Sequence, residues 1–124
     1  MKIILPVDSK SLNSSVCQSF GRTPYYVLYE TETKEVIFID NEAASSAGGA
    51  GIKAAQMIVD KGAEVVITFR LGENAANVLN VAKIKLFKAQ DGTADSNLKL
   101  FSEGKLLPLN EIHAGYHNHG STNN

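Results

Sequence analysis

The stretch Gly48-Gly49-Ala50-Gly51-Ile52-Lys53-Ala54-Ala55 decides how this chain folds. Three glycines run directly into an apolar pattern of helical period. That is the sequence form of a loop whose backbone approaches something closely and then opens a helix. N–H groups at a helix start lack intrahelical acceptors and lie at the positive end of the helix dipole. The place therefore suits an anionic guest: a phosphate, a carboxylate or an anionic metal-sulfide cluster. The spacing matches neither the P-loop, which ends in Gly-Lys-Ser/Thr, nor the full dinucleotide fingerprint. A tight loop with close backbone packing and no guest accounts for these glycines equally well.

Downstream of the loop, Ile52, Ala55, Ile58 and Val59 share one helix face, and Gly62 stops the helix. Residues 64–68 read as a buried strand. Ala75, Val78, Leu79 and Ala82 repeat the helical spacing. Residues 84–87 form another strand, and Thr93 caps a last helix that buries Ala94, Leu98 and Phe101 and ends at Gly104. Upstream, residues 2–7 read as a first strand, and 25–29 and 36–39 as a hairpin around the polar turn Thr31-Glu32-Thr33-Lys34. Helix-linked strands imply parallel pairing with right-handed crossovers. The fold class is therefore α/β: a mixed five-stranded sheet with an antiparallel hairpin and helices packed on it. In such sheets ligands sit beyond the carboxyl ends of strands, near a change in strand order. The loops 8–19, 41–50 and 69–74 are expected to gather there.

The chain of 124 residues suits one core, and its 44% hydrophobic and 20% charged composition is that of an ordinary globular domain. A formal net charge of −1 gives no electrostatic reason to expect a nucleic-acid partner. No apolar run approaches the ~20 residues of a membrane span. Cys17 is the single cysteine, so no internal disulfide can form. The expectation is a cytoplasmic protein with a domain over residues 1–109 and a flexible, His-containing tail over 110–124.

Few side chains carry obvious chemistry. The Cys17 thiolate is a candidate ligand for a soft metal or an iron–sulfur unit, though one cysteine cannot hold a cluster in the four-cysteine manner. Arg22 offers a guanidinium fork to an anion, or else closes its loop on backbone carbonyls. Arg70 and Lys53 are further candidates to offset anionic charge. His113, His117 and His119 are candidate metal ligands on a flexible tract. Asp8 ends the first strand but has no accompanying set of carboxylates for two-metal chemistry, so it reads as a loop cap. No Ser-His-Asp or Cys-His arrangement is evident, and a phosphoester hydrolase is the weakest reading.

Ile-Leu-Pro-Val-Asp at 4–8, Ser-Ser-Val-Cys-Gln-Ser-Phe-Gly-Arg-Thr-Pro-Tyr-Tyr at 14–26, the glycine loop, Glu-Val-Val-Ile-Thr at 64–68, Leu-Gly-Glu-Asn-Ala at 71–75 and Asp-Gly-Thr at 91–93 occur in order. Together they resemble the dinitrogenase iron–molybdenum cofactor biosynthesis family over residues 1–109. The resemblance implies a ribonuclease H-like fold without nuclease chemistry. It implies a non-enzymatic carrier or accessory protein for an iron–molybdenum or other metal-sulfide cluster. Cluster donor and recipient proteins would be its partners, with no nucleic acid or membrane involved, and the chain would be a monomer or weak homodimer. Carried onto this sequence, the cluster-binding residues are Cys17, Phe20, Gly21, Arg22, Gly48, Gly49, Gly51, Arg70, Gly72 and Asn74. The chain departs from the family pattern at Ser19, where histidine is usual, at Lys53 for glutamine, at Glu73 for proline and at Phe69-Arg70 for small residues. Those departures motivate an alternative reading, an interaction or regulatory module of the same fold without cargo.

Overall fold

Strand β1 (Lys2–Val7) is buried without alternation from Ile3 to Val7, which means that both sheet faces are covered where it runs. The computed structural model describes residues 1–110 and the backbone of residues 112 and 113. β1 pairs antiparallel with β2 (Tyr25–Glu30), which pairs antiparallel with β3 (Val36–Asp40). On its other edge β1 runs parallel to β4 (Val65–Thr68), and β4 runs parallel to β6 (Lys85–Lys88). The five-stranded order is β3-β2-β1-β4-β6, the mixed α/β sheet expected from the sequence.

Helices α1 (Ala50–Asp60) and α2 (Glu73–Val81) cover one face. Their residues Ala54, Ala55, Ile58, Ala75, Ala76 and Leu79 bury Ile4, Tyr26, Leu28 and Val66 of the sheet. Helix α3 (Ala94–Ser102) covers the other face, with Ala94 and Leu98 packed among Ile3, Leu5, Val65 and Ile67. Both α1 and α2 step across the sheet in the same direction, so right-handed crossovers put them on the same side. The small side chains of both helices allow close approach; even a Cβ added at Gly51 would meet Ala75 Cβ at an ordinary 3.5 Å.

Several details differ from the sequence reading. Ile52 is only half-buried and turns to the loop end instead of joining Ile58 in the core. The loop after β1 is closed by Ser14, whose hydroxyl accepts from the N–H groups of Asp8 and Ser9 at 3.1 and 3.0 Å, and not by an Asp8 side chain. This loop also folds back on the sheet. Val16 bridges Val7, and Cys17 N–H donates to the Pro6 carbonyl at 2.9 Å. The β1–β4 ladder covers Ile3 and Ile4, and Pro6 has no N–H to extend it; the returning loop takes up the edge instead. A short β5 (Leu71–Gly72) precedes α2 and pairs in parallel with β7 (Ile112–His113), so the segment expected as tail from residue 110 re-enters the structure at 112–113.

α3 is pinned by Asn97, fully buried, which accepts from Gln90 N–H at 2.8 Å and donates to the carbonyls of Gln90 and Thr93. Asn97→Ala is expected to destabilise the domain by about 2–3 kcal/mol, because it orphans buried backbone groups. Urea denaturation read by circular dichroism checks this, and an unchanged midpoint would contradict it.

Candidate functional site

Strands β1, β3 and β4 all end at the same edge of the sheet, and the loops that follow them meet there. They enclose an open cleft of about 1070 Å³ lined by residues 18–22, 47–52, 70 and 72–75. This is the gathering expected of loops 8–19, 41–50 and 69–74.

The floor and rear wall are two helix starts. The N-cap of α1 is Gly49, held in the left-handed conformation at φ 70°, with no side chain capping the helix. The N-cap of α2 is Gly72, also without a side-chain cap. First-turn N–H groups have no intrahelical acceptor, so Ala50, Gly51, Ile52, Glu73, Asn74 and Ala75 bring such groups to one cleft. By contrast, α3 begins on the opposite face with a complete capping box, Thr93 and Ser96 satisfying one another's backbone N–H groups.

The loop after β1 forms the facing wall. Gly21 comes so close to α1 that an added Cβ would stand 2.9 Å from Gly51 N and 3.0 Å from Gly51 Cα. Four clamps hold it there. The Tyr26 hydroxyl, buried beneath the wall, donates to the Phe20 carbonyl, and the two rings meet edge to face at 5.9 Å. Burial, with a lesser contribution from nearby Cys17, pushes the Tyr26 phenol well above its ordinary value, so it remains a donor at neutral pH. Asn41 Nδ2 donates to the carbonyls of Gly21 and Thr23 at 2.9 and 2.8 Å. Arg22 Nη1 donates to the carbonyls of Ala44 and Ser46 at 2.7 and 3.0 Å, tying this loop to the one after β3. Ser19 Oγ accepts from Arg22 N–H at 2.9 Å and closes the turn.

Of the residues singled out in the sequence, Phe20, Gly21, Arg22, Gly48, Gly49, Gly51, Arg70, Gly72 and Asn74 all line the cleft. Cys17 does not: it lies one residue outside the lining, partly buried, with its backbone fixed to Pro6. Arg22 carries out the structural role of closing loops on carbonyls while its charge remains at the cleft. Arg70 is exposed and has no hydrogen-bond or ion-pair partner among the described residues. Lys53 is outside the lining, with Nζ 3.3 Å from Ser46 Oγ. Glu73 places a carboxylate in the lining, in the first turn of α2. His117 and His119 lie outside the described residues, as does the imidazole of His113.

Sequence reasoning missed Tyr26 and Asn41, the two buried clamps. A tyrosine in a strand and an asparagine after one are ordinary there, and nothing local marks them. It also missed Thr68, at the end of β4. Its Oγ1 is the buried side-chain polar atom left without a partner among the described residues, and strand alternation places it on the α1–α2 face with Val66.

Comparison with known proteins shows the family and the same overall fold in several relatives. A family model described as "Dinitrogenase iron-molybdenum cofactor" matches residues 1–104. An uncharacterized protein of Methanocaldococcus jannaschii is 33% identical over 109 residues, 86% of this chain and 89% of that protein. The apo form of the orange protein from Desulfovibrio gigas superposes with a TM-score of 0.84 at 27% identity, covering 89% of this chain and 93% of that one. A Thermotoga protein described as a candidate NifB protein superposes with a TM-score of 0.79 at 32% identity, over 96% of this chain and 98% of that one.

The glycines of the cleft separate by role. At Gly21 any side chain strikes backbone, so Gly21→Ala is expected to cost about 1–3 kcal/mol. At Gly48 a Cβ meets nothing within 4 Å, so Gly48→Ala should fall within about 0.5 kcal/mol of the wild type. Paired thermal melts check the contrast; equal losses would contradict the close approach of the two loops.

Proposed function

The chain belongs to the dinitrogenase iron-molybdenum cofactor family, and on that premise we propose that it is a non-enzymatic carrier or accessory protein whose cleft holds an anionic metal-sulfide cluster. The cargo is of iron–molybdenum cofactor type or a related metal-sulfide species, received from one protein and passed to another. The strand order β3-β2-β1-β4-β6 is consistent with the ribonuclease H-like fold that the resemblance implies. The described residues include no helix long and apolar enough to cross a membrane, and a cytoplasmic place suits an oxygen-sensitive cargo.

The observation that carries this reading is the pair of uncapped helix starts facing one cleft. Each supplies about half a positive charge. With the formal charges of Arg22 and Arg70 set against that of Glu73, the lining and the two helix starts sum to roughly +2. The volume of about 1070 Å³ stands at the upper end of the ~300–1,000 Å³ usual for small-molecule sites, enough for a polyatomic guest. Backbone N–H groups suit sulfide-rich surfaces because they donate without being consumed as ligands, so a cargo held this way can be released. Hydrogen bonds from amides to an anion are stronger than those between neutral groups. Cys17, outside the lining, is a secondary contact in this scheme.

Glu73 favours a second reading, in which the fold is kept as an interaction module and cargo is lost. A carboxylate in the first turn of α2 complements the helix dipole itself and competes with an anionic guest for the same N–H groups.

Anaerobic purification without a tag, followed by elemental analysis and an optical spectrum for sulfide-to-metal absorption, tests the proposal. Gly51→Leu, which drives a side chain against Ala75, and Arg70→Gln are expected to lower cluster retention more than Cys17→Ala. Glu73→Gln is expected to raise it. Dispersed amide NMR spectra establish that each variant folds. Equal retention in all four variants would overturn the backbone-donor mechanism, and absence of metal after anaerobic reconstitution with cluster would favour the interaction module.

A further inference from the structure

The two edges of the sheet are finished differently. At the β6 edge the chain itself returns: Lys88 N–H donates to the Leu107 carbonyl at 2.8 Å, Leu109 N–H donates to the Leu86 carbonyl at 3.0 Å, and Phe87 bridges Pro108. β3 forms the opposite edge, and among the described residues nothing pairs with its outer side. Four of its five residues are apolar, Val36-Ile37-Phe38-Ile39, and Ile37 is 42% exposed. Natural sheets blunt such edges with lysine, proline or a bulge. Residues 36–40 contain no lysine or proline, and their register with β2 is unbroken.

The ladder fixes which backbone groups of this edge are free. Glu30 N–H donates to the Glu35 carbonyl and Asn41 N–H to the Pro24 carbonyl, both at 3.0 Å. Bonded and non-bonded pairs alternate along an antiparallel ladder, so positions 35, 37, 39 and 41 turn their backbone groups to β2. Val36, Phe38 and Asp40 therefore turn their N–H and carbonyl groups outward. This row is complementary to itself. A two-fold axis at Phe38 sets a second β3 antiparallel to the first, with Phe38 opposite Phe38 and Val36 opposite Asp40, and every outward group gains a partner. Moving the axis to Ile37 or Ile39 sets Asp40 opposite Lys34 or Val36 opposite Glu42, outside the strand. With the axis at Phe38, Ile37 falls opposite Ile39. Beyond the strand ends, Lys34 stands at the position of Glu42 of the second copy and Glu35 at that of the neutral Asn41. Opposite charges meet and like charges do not.

We infer that β3 pairs with β3 of a second copy of this chain, centred on Phe38, so that two five-stranded sheets join into one. Val36 and Phe38 are half-buried at the margin of the apolar cluster on the α3 face, and the same residues of the second copy extend that cover across the two-fold. The paired strands run in opposite directions, so the carboxyl edges of the two sheets point opposite ways and both clefts stay open. β3 leads directly into Asn41, whose side chain clamps Gly21 and Thr23, so pairing steadies the strand that carries the clamp. The association is independent of the cargo proposed for the cleft.

Sedimentation equilibrium of the full chain over a dilution series reaching the millimolar range, with amide hydrogen exchange at both ends of that series, tests this. The expected result is reversible dimerisation. The amides of Val36, Phe38 and Asp40 should exchange fast when dilute and become protected when concentrated, while those of Ile37 and Ile39, already bonded to β2, stay protected throughout. Val36→Pro removes an outward N–H and leaves the β2 ladder intact. Ile37→Lys puts a charge on the edge. Each should weaken association roughly tenfold or more, the scale of one apolar side chain lost from an interface, with dispersed amide spectra establishing that the variants fold. A monomer at every concentration would overturn the inference. So would a dimer whose amides at 36, 38 and 40 still exchange fast, or one that neither substitution weakens.

Discussion

Everything at the carboxyl end of this sheet depends on the backbone of Gly21 resting against the backbone of Gly51. There is no room for a Cβ between them, so the loop after β1 and the first turn of α1 behave as one wall. The clamps around that contact come from three different strands or their loops: Tyr26 from β2, Asn41 from the end of β3, and Arg22 reaching to the carbonyls of Ala44 and Ser46. Each is a donor aimed at a carbonyl that would otherwise be unpaired. The arrangement leaves carbonyls consumed and N–H groups facing inward, which sets the sign of the cleft before any charged side chain is considered.

That polarity follows from topology as much as from side chains. β1 and β4 are buried on both faces, which forces helices onto both. Right-handed crossovers then put α1 and α2 side by side on one face with their starts at the same edge. A helix start needs its first N–H groups satisfied. α3 does so internally, through Thr93 and Ser96; α1 and α2 have glycine N-caps that cannot. The difference is local and chemical: a hydroxyl at one N-cap, a hydrogen atom at the other two.

Much of this was legible in the sequence because it is written in local signals. The continuous apolar run at 3–7, the glycine run at 48–51, the Thr93 cap and the Gly62 and Gly104 stops each fix an element, and the parallel order follows from helix-linked strands. Ile52 was misplaced because a helical period does not distinguish a core face from a cleft face at the first turn. β5 and β7 were invisible because a two-residue strand has no periodicity. Tyr26, Asn41 and Ser14 were missed as clamps for a shared reason: their partners are backbone atoms, and backbone atoms leave no mark in a sequence.

The departures from the family pattern acquire physical meaning in this geometry. Ser19, standing where histidine is usual, accepts the Arg22 N–H and keeps the turn tight, so its hydroxyl is spent on architecture. Glu73 puts a negative charge where the helix start is positive. Among the described residues the domain thus has no imidazole and one carboxylate at a cleft whose backbone is arranged for an anion. The three histidines of the sequence stand at 113, 117 and 119, the first of them in β7, where it pairs with Gly72, the residue next to Glu73.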